Sequence, residues 1–191
     1  MRSPQPDWTG VDRTAAAADR IVEVAGELFC DRGATAVSMG EIAAAVGCSR
    51  ATLYRYYRNR TDLQLAYVER MARIVGTTVA AKTEGIADPA DRLTESVMIA
   101  VAEVRANPAL AAWFGPAEAA NSGRLALTSD TIADLARSLL ADGDPAAATD
   151  AGQTQWIVRI ILSLLTIPGD SVDDERAMVA RFLTPIPSAP G

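Results

Sequence analysis

Between Ser49 and Arg60 the chain carries four arginines (Arg50, Arg55, Arg58 and Arg60) and no acidic residue. Thr52, Tyr54 and Tyr56 are interleaved with them. A guanidinium can give two parallel hydrogen bonds to a guanine edge, a threonine can meet a thymine methyl, and phenol hydroxyls can hold phosphate oxygens. Placed on a helix at about 100° per residue, Leu53 and Tyr57 share one side. Ala51, Thr52 and Arg55 take the opposite side, with Arg50 and Tyr54 along one edge and Tyr56 along the other. A short helix with a small apolar underside and a basic, hydroxyl-bearing outer face suits the DNA major groove. Topology alone leaves a plainer alternative, a basic helical hairpin on the surface of some helical protein.

The elements that must hold this face lie immediately before it. Ser38 followed three residues later by Glu41 fits a capping box, so a helix is predicted to start there. Ile42 and Val46, four apart, share a face that Leu53 and Tyr57 can meet. Gly47 closes the helix, because a turn of this kind needs positive φ. Ser49 is the next N-cap, opening a helix through Tyr57. Two short helices about a glycine turn form a helix-turn-helix with the second helix as reader.

The string ELFCDRG (27–33), followed by EIAAAVGCSRATLYRYYRNRTDL (41–63), resembles the TetR family of bacterial one-component transcription regulators. The resemblance covers about the first 75 residues; beyond them only length and an all-helical pattern match. It implies base contacts from Arg50, Ala51, Thr52 and Arg55, and phosphate contacts from Tyr54, Tyr56 and Arg60. Ser38 and Ser49 combine capping with phosphate contact in the same reading, whereas Leu53 and Tyr57 match core positions. Gly40 departs from the family, standing where many relatives carry a polar or basic side chain. Cys48 stands where Val or Ile is usual, which alters packing alone.

Composition narrows the rest. The net charge is −6, yet residues 1–75 hold ten Arg against nine Asp/Glu, and residues 76–191 hold eight Lys/Arg against fifteen Asp/Glu. An acidic body behind a locally basic head meets DNA through the head. With no histidine in the chain, His-based metal sites and His-based catalysis are excluded. Cys30 and Cys48 form no CxxC pair and read as small buried residues of a reducing compartment. No cofactor, metal site or catalytic constellation is expected. The start, MRSPQPDWTG, lacks a signal-peptide core, and the apolar run Trp156–Pro168 is too short to span a bilayer, so a cytoplasmic location without membrane contact is expected.

Apolar spacing and breakers predict an all-α chain of about nine helices. The boundaries are a flexible arm at 1–12, a helix-turn-helix domain at 13–60, a connecting helix at 61–84, and a ligand-binding and dimerisation domain at 85–191. The first helix, 13–32, carries Ile21, Ala25, Leu28 and Phe29 on one stripe. Asn59 or Thr61 caps the connecting helix, and Asp88-Pro89 opens the next. Residues 117–123 are ambiguous, a single helix is expected over 124–141, and Asp142-Gly143-Asp144-Pro145 breaks the chain. Helices over 146–167 and 173–183 and a loose tail, PIPSAPG, complete it.

For the body, the resemblance implies a cavity lined by Trp113 and Phe114, and Met98, Val101, Leu135, Leu139, Trp156 and Ile160 are further candidates beside an ordinary core role. Arg159, in an apolar run, is more simply an exposed or interface residue than an anion holder. The last turns of the 146–167 helix are apolar nearly all round. Ile157, Ile161, Leu164 and Leu165, with Met178 and Phe182 on the final helix, are therefore expected to form a two-fold homodimer interface. The expected function is a DNA-binding regulator, a repressor released from a palindromic double-stranded operator by a small hydrophobic effector. The alternatives are a regulator with no small-molecule ligand and a helical-bundle enzyme, the latter disfavoured by the missing histidine and absent ExxH-type pairs.

Overall fold

The computed structural model of the protein describes residues 11–115, 118–140 and 151–183, and every regular element among them is helical. In chain order these are α1 (Val11–Arg32), α2 (Met39–Val46), α3 (Arg50–Tyr56), α4 (Arg60–Thr83), α5 (Pro89–Ala106), α6 (Pro108–Ala111), a 3-10 turn (Ala112–Phe114), α7 (Ala119–Thr128), α8 (Asp130–Leu140), α9 (Ala151–Thr166) and α10 (Val172–Leu183). Nine of the described α-helices exceed one turn, and α6 is a single turn. Residues 1–10 of the expected arm at 1–12, the break at 142–145, the expected helix start at 146–150 and the tail at 185–191 lie outside the described residues, whereas Val11 and Asp12 already belong to α1.

The chain divides into two compact units, and the division falls within α4, between Tyr67 and Val68. In the first, α1 buries Ile21, Val22, Val24, Ala25 and Phe29, while Leu28 is half-buried. Phe29 stacks edge-on against Tyr67 of α4, with ring centroids 6.0 Å apart. Ile42 of α2, Leu53 of α3 and Leu63 of α4 close the same core at 0% exposure, so the reading pair is bolted on from beneath. Asn59 caps α4 by accepting the Asp62 amide at 2.8 Å.

In the second unit α9 and α10 both pack on α5, and α8 packs on α9. Asp88 caps α5 by accepting the amides of Ala90 and Asp91, with Pro89 in the first turn. Leu93, Val97, Met98 and Val101 of α5 form the core with Ala136, Ile157, Val158, Leu164, Val179 and Leu183. A polar strut crosses its edge. Arg105 gives two 2.7 Å hydrogen bonds to Glu175 and one of 2.8 Å to the Leu164 carbonyl, and the Gly169 amide donates to Glu175 at 2.8 Å. Glu175 is 1% exposed, and the Arg105 guanidinium holds its carboxyl below the ordinary value despite burial.

The single helix expected over 124–141 is two helices. Ser129 interrupts it: its side chain accepts the Ile132 amide at 3.2 Å and so caps α8. The ambiguous stretch is helical from Ala119. Apolar spacing runs across the junction because Leu125 and Ile132, seven apart, fall on one helical face.

Candidate nucleic-acid interface

The capping box of α2 forms in full. Glu41 N–H donates to Ser38 Oγ at 3.3 Å, and the Glu41 carboxylate accepts from the Ser38 amide at 2.9 Å and hydroxyl at 2.7 Å. Arg32 adds a 2.6 Å ion pair from the end of α1. The Ser38 hydroxyl, the Ser38 amide and Arg32 together hold the Glu41 carboxyl below its ordinary value. Gly47 ends α2 at φ 79°, in the left-handed region, with its amide reaching back to α2 carbonyls.

Ser49 caps α3, accepting the Thr52 amide at 3.0 Å and sharing a 2.9 Å hydrogen bond with the Thr52 hydroxyl. The Thr52 hydroxyl thus already has one partner in Ser49, and its methyl offers an apolar contact to a base. Leu53 is fully buried beneath. Tyr57 is half-buried and donates to the Ala18 carbonyl of α1 at 3.4 Å, and burial, then Asp19, raises its phenol pKa.

Arg50, Ala51, Tyr54 and Arg55 are exposed, and neither Arg50 nor Arg55 has an ion-pair partner among the described residues. The Arg50 guanidinium lies beside Gly40: a Cβ there would stand 3.8 Å from Arg50 Cζ, an ordinary contact. Arg55 lies over the half-buried Tyr56 ring, 5.5 Å from its centroid, an arrangement that restrains both side chains. Arg58 reaches Asp62 at 3.2 Å from a side chain 89% exposed. Arg60 is engaged within the protein: both its terminal nitrogens donate to the Thr35 carbonyl at 2.8 Å.

The body candidates separate by burial. Met98, Val101 and Trp113 are buried in the second unit's core. Phe114, Leu135, Leu139 and Ile160 are half-buried. Trp156 is 51% exposed and leaves the list of interior lining residues, because its face of α9 points to solvent. Ile157 and Leu164, expected at a dimer interface, are 0% and 3% exposed within one chain. For these two residues the expectation is corrected: their side chains are consumed by the protein's own core. Ile161 and Leu165 are half-buried, and Met178 and Phe182 are 46% and 66% exposed. Arg159 is exposed.

A pocket that the candidates did not foresee opens between α7, α8 and α9. It measures about 190 Å³ and is lined by Leu127, Ala133, Arg137, Thr154, Gln155 and Val158 among others. Its walls come from three helices and no local motif marks them. Among the described residues no group of three or more His, Cys, Asp or Glu could hold a metal ion. No described helix is long and apolar enough to cross a membrane.

Residues 21–67 match the family model described as bacterial regulatory proteins, tetR family. The HTH-type transcriptional regulator Rv1255c of Mycobacterium tuberculosis (strain ATCC 25618 / H37Rv) is 44% identical over 181 residues, covering 94% of this chain and 90% of the relative. Among solved structures, the TetR family repressor AlkX from Dietzia sp. strain DQ12-45-1b, implicated in biodegradation of n-alkanes, aligns with a TM-score of 0.64. It is 19% identical, over 95% of this chain and 96% of its own. RolR in complex with resorcinol aligns with a TM-score of 0.70 at 19% identity, over 91% and 88% of the two chains.

Proposed function

Since this chain belongs to the tetR family of bacterial regulatory proteins, we propose that it is a homodimeric repressor whose hold on a palindromic operator is released by a small apolar effector. The observation that carries the DNA half is the outer face of α3. Arg50 and Arg55 stand exposed and without ion pairs on a helix capped at both ends, over a fully buried Leu53. Arg50, Arg55, Ala51 and the Thr52 methyl read bases in this scheme, and Tyr54 and Tyr56 hold phosphates.

Exposed apolar side chains support self-association. Trp156 on α9, Ile167 just beyond its end, and Val172, Met178 and Phe182 along α10 are 46–74% exposed. A two-fold pairing through this face sets two readers on half-sites about 34–36 Å apart or a multiple of that. The effector half draws on the relatives: RolR is named with resorcinol and the Dietzia AlkX with n-alkane biodegradation. An apolar ligand with at most one polar end suits a second unit whose interior side chains are mostly aliphatic, with Trp113 among them.

One observation favours a second reading, a regulator with no small-molecule effector. Met98, Val101 and Trp113, expected to line a cavity, are packed at 4%, 1% and 3% exposure.

The test begins with selection of a duplex from a randomised double-stranded pool, followed by titration of the complex with a panel of hydrophobic compounds. The proposal expects a palindromic preference and a compound that weakens binding by about 1–3 kcal/mol of coupling. Failure to select any sequence removes the DNA half. Selection without release by any compound leaves the second reading.

A further inference from the structure

Two side chains one turn apart on α4 donate to consecutive backbone carbonyls of the turn joining α1 to α2. Both Nη atoms of Arg60 donate to the Thr35 carbonyl at 2.8 Å. Gln64, 4% exposed, donates from Nε2 to the Ala34 carbonyl at 2.9 Å. The turn is held from its other side as well. Gly33 sits at φ 84°, the Ala36 amide donates to the Gly33 carbonyl at 3.2 Å, and Ala34 and Val37 are buried. Ser38, the N-cap of α2, follows at once.

We propose that Arg60 is a positioning residue which, together with Gln64, clamps the α1–α2 turn and so fixes where α2, and through it the reader α3, stands against DNA. The inference rests on the reading of α3 as a DNA-reading helix. The resemblance at this position implies a phosphate contact, but here the guanidinium fork already has a partner in the free protein. Swinging the fork off the Thr35 carbonyl to a phosphate instead releases the turn that presents α2. Gln64 makes the second half of the clamp from inside the core, where no phosphate can reach it. An uncharged buried side chain and a half-buried charged one thus serve the same backbone segment. The clamp also assigns the first turns of α4 to the head, in agreement with a unit boundary that falls after Tyr67.

The variants Arg60→Met and Gln64→Leu of the full chain separate the possibilities. Both are titrated, over a range of salt concentrations, with the duplex that wild type selects from a randomised pool and with a scrambled duplex. Amide hydrogen exchange over residues 34–38 is measured in parallel. A wild type that selects no duplex ends the DNA reading itself, a result distinct from any failure of the clamp. With a selective wild type, both variants are expected to exchange faster over 34–38. Both should lose roughly tenfold in discrimination between the duplexes, about what one well-seated bidentate base contact supplies. Neither should change the salt slope. The proposal is overturned if Arg60→Met lowers that slope by about 0.9 on both duplexes with exchange unchanged, the signature of one lost phosphate contact. It is equally overturned if Gln64→Leu keeps wild-type exchange and discrimination.

Discussion

Arg55 and Glu175 are charged side chains with opposite surroundings, and each makes a prediction at the scale of one residue. Arg55 is exposed and lies over the Tyr56 ring. Its replacement by alanine is expected to cost about 1–3 kcal/mol at one base-pair position and to relax specificity there. Titrating single-position variants of the selected duplex reads this directly, and a loss equal at every position shows that the base-reading face has been misplaced. Glu175 is buried and its carboxyl titrates below its ordinary 4.5. A depressed folded pKa means that its stabilisation is complete above the unfolded pKa and is lost as pH falls through the folded one. Glu175→Gln should therefore cost about 3 kcal/mol near neutral pH, the low end for a buried pair because Arg105 keeps some solvent access. The gap to wild type should close progressively below pH 4.5. Denaturant unfolding across pH measures both, and a gap that persists in strong acid contradicts the assignment.

At the scale of the element, two glycines serve for different reasons. Gly26 lies inside α1, where a Cβ would stand 2.4 Å from Tyr67 Cε2. That ring is 5% exposed and edge-packed on Phe29, so it has little room to withdraw. The hydroxyl of Tyr67 also lies 3.8 Å from Cys30 Sγ, and burial followed by that contact drives the phenol pKa well above its ordinary value. Gly26→Ala gains about 1 kcal/mol of helix propensity and loses about 1–3 kcal/mol to overpacking, so a net destabilisation is expected. A higher unfolding midpoint for this variant contradicts the packing argument. Gly47 has open space around it but a backbone at φ 79°. Gly47→Ala should cost about 1–2 kcal/mol through backbone strain alone. Gly47→Asn should cost less, since asparagine enters the left-handed region more readily. Equal losses from the two substitutions would point away from backbone conformation.

Assembly belongs to the scale of the whole molecule. Met178 and Phe182 are exposed along α10, with Arg181 over the Phe182 ring at 5.5 Å, whereas Leu164 is 3% exposed in its own chain. Phe182→Glu should yield a folded monomer by sedimentation and weaken binding to a palindromic duplex more than to a single half-site. Leu164→Glu should lower stability itself, because it buries a charge in a packed core. A Phe182→Glu protein that remains a dimer with unchanged operator affinity overturns the proposed interface. The strut of Arg105 and Glu175 ties α5 to α10 and, through the Leu164 carbonyl, to the end of α9. The expected self-association face is thus carried on helices braced from within the protomer.

The reading pair was legible in sequence because its determinants are local. A capping box spans four residues, a left-handed C-cap needs one glycine, and the faces of a short helix follow from spacing alone. The same holds for Asp88-Pro89 at the start of α5 and for the all-helical class. What remained hidden depends on partners distant in the chain. The apolar end of α9 read as surplus, but Ile157 and Leu164 are buried where α9 packs on α5 and α8, which arrive from elsewhere in sequence. Trp156, one residue from Ile157, faces solvent instead, a difference of about 100° on the helix that composition cannot orient. Arg60 had the charge and position of a phosphate contact, and only the fold brought Thr35, 25 residues away, to its fork. Local hydrogen bonding and periodicity are written residue by residue; which apolar face is covered, and which cation is already engaged, is decided when separate segments pack.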